Sequence, residues 1–227
     1  NEFTMKAMIL AAGFGKRLLP LTEVTPKPLL MIGKKTLIER NIEYLLNNGF
    51  SEIVINVSHL SEQIIEHVNE KFPDIKINFS VENKPLGTGG GIQNAIPVIG
   101  SDPFLCVNAD IFHEIKINDL SFDVEAAHLI GVPNPEHNKE GDFSINNGAV
   151  VVNEIKNMLT WSGISVINPK IFSDIQSREN SFNMWDAVLP KYIKKGIVTG
   201  HLSEDLWIDV GTKDRLKLAN SVYNDQN

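Results

Sequence analysis

Four short apolar runs in the first half of the chain alternate with segments of helical periodicity, and that alternation leaves few folds open. Lys6 to Ala12, Glu52 to Val57, Lys76 to Val81 and Phe104 to Val107 read as strands. Between them, a helix beginning at Thr36 repeats apolar residues at Leu37, Ile38, Ile42, Leu45 and Leu46 and ends at Asn48-Gly49. Ser61 to Lys71 repeats them at Ile64, Ile65 and Val68, with Ser61 as the expected N-cap. Gly87 to Gly91 reads as a glycine-rich turn and Gly91 to Ile96 as the start of a further helix. Strands separated by helices build a parallel sheet through right-handed crossovers. Pro20, Pro26 and Pro28 predict an extended, irregular path up to Leu30.

The second half is less regular. Ala126 to Val132, Gly148 to Asn153, Trp161 to Ile167, Ile197 to Leu202 and Leu206 to Val210 read as strands. Asn183 to Lys195 and Lys213 to Val222 read as helices. The expected class is therefore α/β, a Rossmann-like, mostly parallel but mixed sheet flanked by helices. No repeat or linker divides it, so residues 5–227 are expected to form one domain. Residues 5–115 and 116–227 would be its two halves. Asn1 to Thr4 precede Met5 and are expected to be left over from expression.

Charge excludes one broad class. The 21 basic and 28 acidic residues give a net charge of −7 with no basic run, whereas nucleic acid demands a basic face. No apolar run reaches the ~18 residues of a membrane span, and no export signal is recognisable, so a cytoplasmic protein without membrane partners is expected. The single cysteine, Cys106, lies in an apolar run and reads as a core residue.

Ligands of parallel sheets bind beyond the carboxyl ends of the strands, and the chemically suggestive residues fall there. Leu10-Ala11-Ala12-Gly13-Phe14-Gly15-Lys16-Arg17 follows the first strand, and Lys27 follows shortly after. Glycines let backbone N–H groups approach phosphate oxygens, Arg can fork across two phosphoryl groups and Lys supplies a point charge. A tight turn carrying two solvated cations satisfies the same residues. Neither a Walker loop nor a dinucleotide fingerprint is present: no Gly-Lys-Ser/Thr follows, and no third glycine. Gly87-Thr88-Gly89 follows the third strand and could lie against a flat base, or simply start a helix. Asp110, after Asn108-Ala109, could hold a hard cation or form a turn. Asp209 sits inside an alternating strand, where a carboxylate requires a cationic partner, whether a metal or a nearby lysine.

The run from Gly13 to Leu29, G-x-G-x-R-x-x-P-L-T-x-x-x-P-K-P-L, resembles without a gap the signature of the sugar-1-phosphate nucleotidyltransferases. The resemblance extends to Trp207-Ile208-Asp209-Val210-Gly211-Thr212 and covers Met5 to about Ala219. It implies a glycosyltransferase-A-like fold and binding of a nucleoside triphosphate and a sugar-1-phosphate. Arg17, Lys27, Asp110 and Asp209 are implied as catalytic residues, with both aspartates as Mg²⁺ ligands. Leu10, Ala11, Ala12, Gly13, Gly15, Lys16, Arg17, Lys27, Glu82, Gly87, Thr88 and Gly89 are implied to bind the nucleotide. Asn108, Asp142, Gly148 and Ser165 are implied on the sugar-phosphate side. Among short members of the family, the likeness points to uridylyl transfer from UTP to N-acetylmuramate α-1-phosphate, in cell-wall recycling. Mannose-1-phosphate guanylyl transfer and glucose-1-phosphate thymidylyl or uridylyl transfer are the alternatives. A non-catalytic sensor of nucleotide sugars would be expected to lose the four charged residues. The length is expected to leave no room for an appended β-helix or regulatory domain. Ala109, where the family has Gly, and the poorly matched stretch Asn180 to Pro190 are departures that bear on the sugar pocket.

Overall fold

The structure, a computed structural model, describes residues 5–175 and 181–225. The remnant expected at 1–4 and the start of the departure at Asn180 lie outside the described residues. The chain runs β1 (Lys6–Leu10), a short helix α1 (Leu21–Val24), the small hairpin β2 (Met31–Ile32) and β3 (Lys35–Thr36), α2 (Leu37–Asn47), β4 (Glu52–Val57), α3 (Ser61–Lys71), β5 (Lys76–Val81), α4 (Gly87–Ile99), β6 (Phe104–Asn108) and β7 (Ile111–His113). It continues with β8 (Ala127–Pro133), β9 (Ser144–Asn146), β10 (Ala149–Val151), β11 (Leu159–Ile167), α5 (Leu189–Lys194), β12 (Val198–Leu202), β13 (Trp207–Asp209) and α6 (Lys213–Asp225).

A nine-stranded sheet of order β5-β4-β1-β6-β11-β8-β12-β10-β9 runs through both halves of the sequence. β5, β4, β1 and β6 are parallel, as the alternation with helices predicts. β11 then runs antiparallel to β6, pairing Ser165 with Cys106, and the rest of the sheet is mixed.

Side-chain alternation along β1 places helices on both faces. Ala7 and Ile9 pack with Ile38, Ile42 and Leu45 of α2 and Ile64 and Val68 of α3. Met8 points the other way, into a core with Ile92, Ala95 and Ile99 of α4 and Leu189 of α5. Cys106 is buried in that second core, and burial pushes its thiol up to about 12, far from a reactive thiolate. A third cluster joins Leu18, Ile32, Leu37, Phe112, Ile208, Val210 and Ala219. It clamps together the segments that carry Arg17, Asp110 and Asp209. Leu18 and Val210 are fully buried there, each contributing roughly 1.5–3 kcal/mol relative to exposure.

Several local expectations change. The stretch before Leu30 holds α1 and two 3₁₀ turns, Lys16–Leu18 and Lys27–Leu29, rather than an irregular path. Thr36 caps α2 through a reciprocal capping box with Glu39. Ser61 does not cap α3: Leu60, with a φ of 51°, occupies that position and makes no side-chain bond. The glycines 87–91 belong to α4 and not to a turn. Their selection comes from packing, because a Cβ on Gly89 would lie 2.6 Å from the Phe182 ring. The helix expected over Asn183 to Lys195 splits into a π turn, Met184–Val188, followed by α5.

Candidate active site

Three strand ends meet beyond the carboxyl edge of the parallel strands. The Ala109 amide donates to the Leu10 carbonyl at 3.0 Å, tying the end of β6 to that of β1. The Ala11 amide donates to Oδ1 of Asn56, at the end of β4, at 2.8 Å. Beyond them the loop turns through Gly15, whose φ of 65° is a left-handed conformation favouring glycine. A Cβ there would stand 2.9 Å from Thr22 Cγ2, and the Thr22 hydroxyl donates to the Gly15 carbonyl at 2.8 Å. The first 3₁₀ turn then presents Arg17 to solvent, and the second carries Lys27 back toward β6.

The two aspartates are brought together by a two-stranded antiparallel pair. β13 lies against β7 with Asp209 opposite Ile111, and the Val210 amide donates to the Asp110 carbonyl at 2.9 Å. Lys27 Nζ donates to Asp110 Oδ2 at 2.6 Å. Asp209 Oδ2 faces Arg215 Nη2 at 3.3 Å and His137 Nε2 at 3.5 Å. Gly211 lies beneath this group: a Cβ would collide with Arg215 and would stand 3.0 Å from both Arg17 Nη2 and Asp209 Oδ1. Burial, and then the Arg215 guanidinium, hold the His137 imidazole below its usual range, against the opposing pull of Asp209.

Two clefts open onto these groups. One, of about 230 Å³, is bordered by Gly13, Gly15, Lys27, Gly87, Thr88 and Asn183. The other, of about 360 Å³, is bordered by Arg17, His137, Asp142, Trp161, Trp207 and Asp209. Asn108 and Asp110 border both. The larger hollow of about 750 Å³ beside Arg40, Tyr44 and His113 brings none of these charged residues together.

The family model described as nucleotidyl transferase matches residues 6–141, more than half of the chain. The chain belongs to the nucleotidyl transferase family. It is 39% identical to the N-acetylmuramate α-1-phosphate uridylyltransferase of Neisseria meningitidis serogroup B, covering 96% of this chain and 98% of that one. It is 32% identical to the mannose-1-phosphate guanyltransferase of Schizosaccharomyces pombe, over 91% of this chain but 61% of the longer relative. Among solved structures, HddC of Yersinia pseudotuberculosis, crystallised with GMP-PN, superposes with a TM-score of 0.81 at 27% identity, covering 96% of this chain and 99% of that one. This nucleotidyl transferase is an enzyme of the sugar-1-phosphate class.

Of the residues singled out in the sequence of this nucleotidyl transferase, Leu10, Ala11, Ala12, Gly13, Gly15, Lys27, Gly87 and Thr88 border the first cleft. Arg17, Asp142 and Asp209 border the second. Lys16 turns away, its ammonium 5.8 Å above the exposed Phe14 ring. Gly89 lies in the first turn of α4, its amide donating to the Phe182 carbonyl at 3.0 Å. Glu82 is buried, with one oxygen accepting from Asn56 Nδ2 at 2.8 Å and the other from the Leu86 amide at 2.9 Å. Asp142 accepts from the Trp161 amide at 2.7 Å and from Asn138 Nδ2 at 3.1 Å, so it also fixes the cleft wall. Gly148 occupies the turn between β9 and β10, and Ser165 is buried in β11; neither borders a cleft. Sequence reasoning did not single out Asn56, His137, Asn138, Thr160, Asn183 or Arg215. Pairing of distant segments brings Asn56, His137 and Asn183 to the site, whereas Arg215 and Asn138 reach Asp209 and Asp142 across a few residues of chain. Gly163, in the Gly163-Ile164-Ser165 run that resembles the family's sugar-pocket strand, has a φ of 83° at a bulge in β11, and a Cβ there would stand 2.7 Å from Asn108 Nδ2.

Proposed function

We propose that the protein transfers a uridylyl group from UTP to N-acetylmuramate α-1-phosphate, releasing pyrophosphate, in the recycling of cell-wall sugar. The observation that carries this reading is the shared border at Asn108 and Asp110. A nucleotide in the glycine-lined cleft and a sugar phosphate in the Trp161 cleft would meet there. The choice of uracil and of the acetylated sugar acid is supported by 39% identity spanning nearly the full length of both chains. On this reading residues 5–115 form the nucleotide half and 116–227 the sugar half of one domain, working in the cytoplasm.

An oxygen of the sugar phosphate forms a bond to the α-phosphorus while the bond from that phosphorus to the bridging oxygen of pyrophosphate breaks. A phosphate monoester, with a second pKa near ~6, is already dianionic at neutral pH. The reaction therefore needs positioning and charge neutralisation and no general base. The amides of the loop from Ala12 to Gly15 cradle the triphosphate, and Arg17 holds the departing pyrophosphate. Lys27, on its short turn, neutralises phosphoryl oxygens at the reacting centre. Gly87 and Thr88 lie against the base, and Asn108 and Asp142 orient the sugar phosphate.

Among the described residues no group of three or more His, Cys, Asp or Glu could hold a metal by itself. Asp110 and Asp209 nevertheless fit Mg²⁺, which takes oxygen ligands and is commonly held by one or two carboxylates completed by substrate phosphates. When bound, the ion supplies positive charge against the phosphates of both reactants. Lys27 faces Asp110, and Arg215 and His137 face Asp209, so each carboxylate already lies among cationic or polar neighbours.

Pyrophosphate release measured over four nucleoside triphosphates and several sugar-1-phosphates tests the assignment. UTP with N-acetylmuramate α-1-phosphate is expected to give the highest kcat/KM. Release confined to GTP with mannose-1-phosphate overturns the substrate reading, and no release from any pair favours a sensor.

A further inference from the structure

Glu82 and Asn56 form a buried relay that ends at the phosphate loop. Glu82 is 4% exposed and Asn56 2% exposed. The relay begins at the Leu86 amide, which donates to Glu82 Oε2 at 2.9 Å. Asn56 Nδ2 donates to Glu82 Oε1 at 2.8 Å, and Asn56 Oδ1 accepts from the Ala11 amide at 2.8 Å. It thus links the entry to α4 with the ends of β4 and β1. Gly91 leaves room for it: a Cβ there would stand 2.5 Å from Asn56 Nδ2 and 2.8 Å from Glu82 Oε1.

Direction matters in this relay. The Leu86 amide and the Asn56 amide group both donate to Glu82, so the side chain at 82 must accept twice. Only a carboxylate does this without a rotor choice, since a glutamine offers one acceptor and one donor. Burial pushes the Glu82 carboxyl up, and the hydrogen bonds from Leu86 and Asn56 oppose that shift. Both oxygens of Glu82 are occupied, and Glu82 does not border the nucleotide cleft, whereas Asn56 and Ala11 do.

We propose that Glu82 and Asn56 are a positioning pair that fixes the Ala11 amide and so the entry of the phosphate loop, and that Glu82 itself does not contact the base. The role rests on the reading of this cleft as the nucleoside triphosphate site. Unanchored, the Ala11 amide is free to reorient, and the loop that follows must be ordered when the triphosphate binds. The pair therefore acts on nucleotide affinity more than on the affinity for sugar phosphate.

A polarity swap tests it. Glu82→Gln leaves one donor in the relay facing another, and Asn56→Asp sets two carboxylates against each other. Combined, the two substitutions restore every bond. The new carboxylate at position 56 accepts from the Ala11 amide and from the new carboxamide at position 82, whose oxygen accepts from the Leu86 amide. Calorimetric Kd for UTP, which requires no turnover, is to be measured with Tm for all four proteins. KM for UTP and for the sugar phosphate is measured with the best pair from the substrate matrix. Each single substitution is expected to weaken UTP by about tenfold or more, with KM for the sugar phosphate changing by less than about threefold. The double variant is expected to recover UTP affinity to within about threefold of the parent, along with its Tm. A double variant no better than its single parents overturns the pairing, including when the singles fail to fold. Glu82→Gln binding UTP like the parent also overturns it. A parent that binds UTP but turns over no substrate pair counts against the transferase reading and leaves the relay standing; a parent that binds no nucleoside triphosphate overturns both.

Discussion

The ammonium of Lys27 lies 2.6 Å from a carboxylate oxygen of Asp110, with the lysine side chain 12% exposed and the aspartate 33%. The two residues come from the first and fourth crossings of the parallel sheet and meet where both clefts open. On the proposed reading, Lys27 exchanges its carboxylate partner for a phosphate when the triphosphate binds. Lys27→Met, which keeps the apolar stem and removes the charge, is expected to lower kcat by about 10²–10³-fold, the usual loss for one transition-state donor. Far-UV circular dichroism should be unchanged, and a kcat within twofold of the parent would argue against a role in the transfer.

The second carboxylate should matter as much as the first. Asp110→Ala and Asp209→Ala are each expected to reduce turnover on the order of 10³-fold and to abolish its response to added Mg²⁺. Their thermal unfolding should remain cooperative, because the third apolar cluster that holds both segments is untouched. Full activity of either variant removes the two-aspartate site.

Gly211 is required for space. A Cβ there collides with Arg215 and crowds Arg17 and Asp209 at 3.0 Å, so Gly211→Ala must move at least one charged group. Overpacking costs about 1–3 kcal/mol, and kcat/KM is expected to fall tenfold or more. Parallel measurement of Tm and pyrophosphate release checks this. A variant with the parent's kcat/KM means that the three side chains are not held where the structure puts them.

Acid should destabilise the fold before its carboxylates titrate. Burial pushes His113 down to about 4, and burial with the neighbouring His201 pushes His128 down to about 4. An unfolded histidine titrates near ~6.5. As pH falls from there toward about 4, the unfolded chain takes up protons that the fold refuses, so stability declines by up to about 1.4 kcal/mol per pH unit for each group. Above about pH 7 neither group contributes a slope. Urea unfolding at pH 7, 6 and 5 should trace this decline, and His113→Asn should flatten it; an equal slope in parent and variant excludes His113 as a source.

The parallel part of the fold was legible because each segment carries its own periodicity. Glu52–Val57, Ser61–Lys71 and Lys76–Val81 form where alternation and helical spacing put them. Misreadings arose where a distant residue decides. The glycines at 87–91 suggested a turn, but Phe182 and Asn56 require them bare within a helix. Likewise, the charged residues of the loop after β1 and the two aspartates were visible as motifs. Their neighbours were not: Asn56 and His137 join the site only through long-range pairing, and Arg215 reaches Asp209 from the first turn of α6, six residues on.

The β7–β13 pairing has a further consequence for how the molecule matures. Asp110, between β6 and β7, is synthesised long before Asp209, which reaches it only when β13 pairs with β7. With the roles proposed above, a chain that has not yet placed β13 lacks one of the two carboxylates of the transfer site. A chain interrupted before Trp207 loses Ile208, Val210 and Ala219 along with Asp209, so Leu18, Ile32 and Leu37 lose the packing that fixes the segment carrying Arg17.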